Sequence, residues 1–154
     1  MKISLFACFN NLVSQMGLEK ATEFLHASGF EGVELFFTSN NIPPISVAEE
    51  YLAATRAHGL DVACVSCHAP SLVCKNNPSR VDTSAVNALK ECVLITRASG
   101  AKYLHHTVYS DLSKPISLSY DDIYDASLEA AVEIAEFAKS VGVTILYEPQ
   151  GFYF

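Results

Sequence analysis

Eight polar residues stand at or near the ends of apolar, β-branched runs in this chain: Asn10, Asn11, Glu34, His68, His105, His106, Glu148 and Gln150. Imidazole and carboxylate groups brought from separate neighbouring strands suit a divalent metal, because adjacent strand tips fall within one coordination sphere. The set holds no thiolate, so the expected ions are Zn²⁺, Mn²⁺, Co²⁺ or Mg²⁺. Two histidines favour the first three.

Each residue also has a plainer explanation. Glu148 follows Ile145-Leu146-Tyr147, and a charge there needs a partner, either a site or a buried arginine. Glu34 sits inside an apolar strand, where structural pairing and a site role weigh equally. His68 ends a strand and is either a ligand or a hydrogen-bonded structural residue. His105 and His106 are adjacent, and alternation sends only one of them to a given face. His106 is nearer the tip and is favoured, with His105 its rival. Asn10, Glu34 and Gln150 are the candidates for substrate contacts. Cys64 and Cys67 have Cys-x-x-Cys spacing, but on a strand they face opposite ways and do not open a helix, so a redox role is not expected.

Positioning these groups requires strands that alternate with helices. Strands are expected at Ile3 to Phe9, Gly32 to Phe37, Val62 to Ser66, Lys102 to Val108 and Val143 to Tyr147. Between them, helices are expected from about Leu18 to Ser28, from a capping box at Ser46-Val-Ala-Glu49 to His58, from Asp82 or Thr83 to Ser99, and from Ser119–Asp122 to about Ser140. A polar loop carrying Lys75-Asn-Asn-Pro78 joins the third strand to its helix. Such alternation implies an α/β fold with parallel pairing and right-handed crossovers. The strands fit an open doubly wound sheet or the first five of an eight-stranded barrel. No Gly-x-Gly-x-x-Gly and no Walker-type loop supports nucleotide binding.

Half of the residues are hydrophobic and 18% are charged, a surplus that suits strands covered on both faces or a surface meant for a partner. A net charge of −7 argues against nucleic acid as a partner. No apolar run is long enough to span a membrane, and none carries a leader-type cleavage site. Five cysteines in apolar settings are read as reduced thiols of a cytoplasmic protein.

Four stretches carry a resemblance: Gly29-Phe-Glu-Gly-Val-Glu-Leu35, Val65-Ser-Cys-His-Ala-Pro70, Ser99-Gly-Ala-Lys-Tyr-Leu-His-His106 and Leu146-Tyr-Glu-Pro-Gln-Gly151. In this order they resemble the xylose isomerase-like TIM-barrel superfamily, which includes sugar-phosphate isomerases and epimerases and the apurinic endonucleases. The resemblance implies a (β/α)₈ barrel with a divalent metal at its C-terminal face. His68, His106 (or His105) and Glu148 then correspond to metal ligands, and Glu148 also to the base that moves a proton beside a metal-polarised carbonyl. Thr107-Val108 stands where the family commonly has Pro-Gly. Strands six to eight normally bring an aspartate, a histidine and a glutamate to the metal, so the expectation is an incomplete barrel of about five strands and four helices in one domain. Its substrate would be a sugar or sugar phosphate. Open strand edges predict a homo-oligomer; the rival readings are a non-catalytic self-associating fragment and, disfavoured by the charge, an apurinic endonuclease-like phosphodiesterase.

Overall fold

A computed structural model describes residues 4–5, 8–38, 41–70, 72–74, 77–109 and 120–148. In chain order the elements are β1 (Ser4–Leu5), α1 (Cys8–Met16), α2 (Leu18–Ala27), β2 (Gly32–Thr38), α3 (Ile45–Ala57), β3 (Asp61–Pro70), β4 (Val73–Cys74), β5 (Asn77–Val81), α4 (Thr83–Ala98), β6 (Tyr103–Tyr109), α5 (Tyr120–Ser140) and β7 (Thr144–Glu148). Five strands form a parallel sheet in the order β1-β2-β3-β6-β7, and β4 and β5 pair as a separate antiparallel hairpin. The parallel α/β arrangement expected from alternation is present.

The sheet has one face packed on helices. Val33, Leu35 and Phe37 of β2, Val62, Val65 and Cys67 of β3, and Leu104 of β6 are buried on that side. They meet Ala85, Val86, Leu89, Cys92 and Val93 of α4 and Ala130, Ile134 and Ala138 of α5. These helical positions recur every three or four residues, which gives each helix one apolar stripe for the sheet.

Val62 and Val65 are three apart, yet both are buried. Strict alternation would put them on opposite faces. A register shift resolves this: Val33 pairs with Val62, but Glu34 pairs with Cys64, leaving Ala63 as an extra residue in β3. This bulge resets the phase of everything beyond it.

Two local expectations are corrected. The apolar run from Ile3 to Phe9 does not continue as a strand; β1 ends at Leu5 and a helix begins at Cys8. A short apolar run is compatible with either state, and here a side-chain clamp accompanies the helix. Asn10 Nδ2 donates to the Phe36 carbonyl at 3.1 Å, and the Phe36 N–H donates to Asn10 Oδ1 at 3.2 Å. Asn10 thus clamps the backbone of β2 from the first turn of α1. Helix α3 begins at Ile45 with Pro44 at its N-cap and no side-chain cap, so Ser46 lies inside the first turn and the capping box is not formed. Asp82 does cap α4, accepting from the N–H groups of Ser84 and Ala85.

Helix α4 ends at Gly100, whose φ of +77° only glycine adopts freely. A Cβ there would also lie 2.9 Å from Leu52 Cδ1 of α3. Gly100→Ala is expected to cost about 1–2 kcal/mol from the left-handed backbone alone, read as a lower urea midpoint at unchanged slope.

Candidate active site

The face of the sheet opposite the helix-packed core carries the polar residues. Parallel register places Phe36, Ser66, His105 and Leu146 across adjacent strands, with Thr107 opposite Glu148 two residues further on. Side chains at alternate positions share a face, so Glu34, Ser66, His105, Thr107 and Glu148 all project from this side.

They touch one another in a line across four strands. The Ser66 hydroxyl donates to Glu34 Oε1. Ser66 Oγ lies 2.9 Å from His105 Nδ1, and His105 Nε2 lies 3.1 Å from Glu148 Oε2. The Thr107 hydroxyl donates to the same Oε2 at 2.9 Å. Exposure rises from Ser66 towards β7. Ser66 and Thr107 are fully buried, whereas the side chains of His105 and Glu148 are 24% and 48% exposed. Glu148 is thus the member that a solute reaches most easily.

The adjacent histidines separate as alternation requires, but opposite to the expectation. His105, not His106, faces the site. His106 is fully buried with its ring edge-on to Tyr147, centroids 5.1 Å apart and planes at 76°. The phase was visible in the residues flanking it: Leu104 and Val108 are apolar, whereas Tyr103, His105 and Thr107 form the more polar set. Nearness to the strand end was the weaker guide. His68 lies within β3, its Cα opposite those of Thr38 and Thr107, while its side chain lies outside the described residues. Gln150 also lies outside them. Ser66 and Thr107 escaped the sequence reading because a hydroxyl inside a strand looks ordinary.

For a divalent cation, the described part of the set implied by the resemblance is His105 and Glu148, whose Nε2 and Oε2 lie 3.1 Å apart. His106 is on the opposite face, and among the described residues no group of three histidine, cysteine, aspartate or glutamate side chains is arranged to hold an ion. The side chain of His68, the third member of the trio implied by the resemblance, lies outside the described residues.

The Cys64/Cys67 pair divides between the two faces. Cys67 faces the helices, where its Sγ lies 3.1 Å from Cys92 Sγ, both being free thiols. Burial, with the nearby Glu34 carboxylate adding to it, pushes the Cys64 thiol up to about 11. The Cys92 thiol is pushed up by its hydrogen bond with Cys67 and by burial, and the Tyr51 hydroxyl by burial. A raised folded-state value means that the folded chain holds these protons more tightly than the unfolded chain does. The resulting stabilisation is complete below the ordinary thiol range and is lost as pH rises towards about 11. The urea midpoint is expected to fall steadily above about pH 9, with a shallower fall in Cys64→Ser.

Comparison with known proteins places this geometry in context. Solved structures similar to the chain include a putative xylose isomerase from Rhodospirillum rubrum, at TM-score 0.77 and 18% identity over 99% of this chain and 55% of that one. A 3-keto-D-glucoside 4-epimerase from E. coli matches at TM-score 0.73 and 15% identity, over 97% and 56%. An IolI protein with a bound zinc atom matches at TM-score 0.68 and 14% identity, over 98% and 52%. The chain spans about half the length of each of these structures. No curated protein matches it. The xylose isomerase-like TIM barrel family matches residues 22–154. With the parallel sheet and its polar strand ends, this shows that the chain belongs to that family.

Proposed function

We propose that the chain is the part of a sugar or sugar-phosphate isomerase or epimerase that supplies an acid–base carboxylate, Glu148. The observation carrying this reading is the position of Glu148 on the last residue of β7, half exposed, with both of its described hydrogen bonds on Oε2. A carboxylate held through one oxygen keeps its other oxygen for a proton on a carbon next to a carbonyl. Moving that proton to the neighbouring carbon isomerises the sugar, and returning one to the opposite side of the same carbon epimerises it. Several similar structures are described as sugar epimerases, which supports the substrate class. The reduced thiols fit a cytoplasmic setting, and no described helix is long and apolar enough to cross a membrane.

The test is incubation of ketohexoses and ketopentoses in D₂O with the chain, followed by NMR of the recovered sugar. Deuterium at the carbon next to the carbonyl, above the buffer rate, supports the reading. No incorporation into any ketose overturns it.

One observation favours self-association alongside this activity. Strand β7 is a sheet edge on which Leu146 and Tyr147, on opposite faces, are 44% and 45% exposed, and Leu128 and Val132 of α5 add exposed apolar area. An open edge with apolar flanks is a template for a second strand. Light scattering at micromolar concentration is expected to give at least twice the chain mass of 16.7 kDa; a monomer would remove this reading.

A further inference from the structure

Two cysteines meet across the layer where helices pack on the sheet. Cys67 points from β3 towards the helices, Cys92 sits on α4, and their sulfurs lie 3.1 Å apart as free thiols. We propose that Cys67 and Cys92 are a modification site, a buried dithiol that a small hydroperoxide oxidises to a disulfide joining β3 to α4.

The plainer explanation of a buried cysteine is a small apolar side chain that fills the core, and both residues belong to the core cluster. That explains their burial but not their aim. Cys64 and Cys74 show the ordinary arrangement, in which the thiol donates to a backbone carbonyl, Val65 at 3.5 Å and Val81 at 3.3 Å. Cys92 donates to the sulfur of Cys67 instead. At 3.1 Å no third heavy atom stands between the two sulfurs. A disulfide bond is about 2.05 Å long, so the pair has only about 1 Å to close.

Burial selects the oxidant. Cys67 is 0% and Cys92 1% exposed, which shuts out bulky, charged disulfides and favours an uncharged molecule near the size of water. Hydrogen peroxide has these properties. One sulfur, as thiolate, attacks a peroxide oxygen: the S–O bond forms, the O–O bond breaks, and the departing hydroxide takes up the thiol proton as water. The second thiol then attacks the resulting sulfenic acid. Here the S–S bond forms, the S–O bond breaks, and the hydroxyl leaves with the second thiol proton as water. Two thiols and one peroxide thus give one disulfide and two waters, with two electrons passing from sulfur to oxygen. An apolar setting disfavours the thiolate, so the reaction is expected to take on the order of hours.

The link would tie residues 25 apart, enclosing the β4–β5 hairpin. Such a link restricts the unfolded chain most and is expected to raise the melting temperature by about 5–10 °C. It lies on the helix side of β3, whereas Ser66 contacts Glu34 and His105 on the other. Oxidation therefore staples the sheet without consuming a site residue, and the inference is independent of the acid–base reading of Glu148.

The experiment treats the reduced, folded chain with a small excess of hydrogen peroxide, blocks remaining thiols, and maps peptides by mass spectrometry without reductant. The expected product is a Cys67–Cys92-linked peptide pair, two hydrogens lighter than its separate halves and released by dithiothreitol. Cys64→Ser should keep the link and Cys92→Ala should lose it; the map of the unaltered chain carries the test if Cys92→Ala does not fold. In concentrated urea the same treatment should scatter the five cysteines over many pairings. Blocked, unlinked Cys67 and Cys92 after treatment of the folded chain overturn the proposal, as does a link formed equally well in urea. A linked chain that melts no higher than the reduced one overturns the stapling role.

Discussion

Glu148→Gln is expected to slow deuterium incorporation into the sugar by about 10²–10⁴-fold, the usual contribution of a positioned acid–base group. Glutamine keeps the length and planarity of glutamate and still offers one oxygen to the Thr107 hydroxyl, which lies 2.9 Å from Oε2 in the native chain. It cannot take a proton from carbon. The side chain is half exposed, so stability is expected to change by less than about 1 kcal/mol, as at surface positions generally. Rate and urea midpoint measured on the same preparation separate chemistry from folding. A variant that exchanges deuterium as fast as the unaltered chain would move the acid–base role to another residue.

The adjacent histidines give the second large effect, because identical substitutions one residue apart should fail in different ways. His106→Ala removes a fully buried ring that lies edge-on to Tyr147. A cavity of that size on the helix-covered side is expected to cost about 2–4 kcal/mol. For a domain of about this length, that lowers the melting temperature by several degrees or more. His105→Ala leaves the helix-packed core intact and should cost little stability. It frees Glu148 Oε2 from its 3.1 Å neighbour and is expected to slow exchange by about tenfold or more. Thermal melts and deuterium exchange on both variants check the pair. If His105→Ala melted and His106→Ala lost activity, the assignment of faces would be reversed.

Much of this arrangement was legible in the chain because burial writes a simple code. Runs such as Val33-Glu-Leu-Phe-Phe37 and Thr144-Ile-Leu-Tyr147 marked strands, and glycines such as Gly29, Gly59 and Gly142 marked helix ends, so the order of the parallel α/β units could be read directly. Glu148 stood out in the sequence because a charge after three apolar residues has no cheap explanation. Between the two adjacent histidines, distance to the strand tip favoured His106, whereas the apolar neighbours that set the phase put His105 on the face of Glu148. The short first strand and α1 were hidden because an apolar run of seven residues serves either state, and the Asn10 clamp on Phe36 is a contact across 26 residues. The β4–β5 hairpin was hidden for a similar reason: its pairing lies in backbone bonds that a polar loop sequence does not announce. Ser66 gave no signal, since its importance comes only from what stands on either side of it.

The extra residue at Ala63 gives the site an unusual kind of fragility. Catalogues of substitutions would rate this small, exposed alanine as dispensable, and most replacements there should be silent. Its removal is another matter. Shortening β3 by one residue would exchange inside for outside along the rest of the strand, turning Ser66 into the core and Cys67 towards Glu34 and His105, with no functional side chain altered. The line of contacts across the sheet is therefore protected by spacing as much as by chemistry. Relatives that differ by a single insertion or deletion between Asp61 and Cys64 should be expected to have lost the line from Glu34 to Glu148, even where every residue in it is retained.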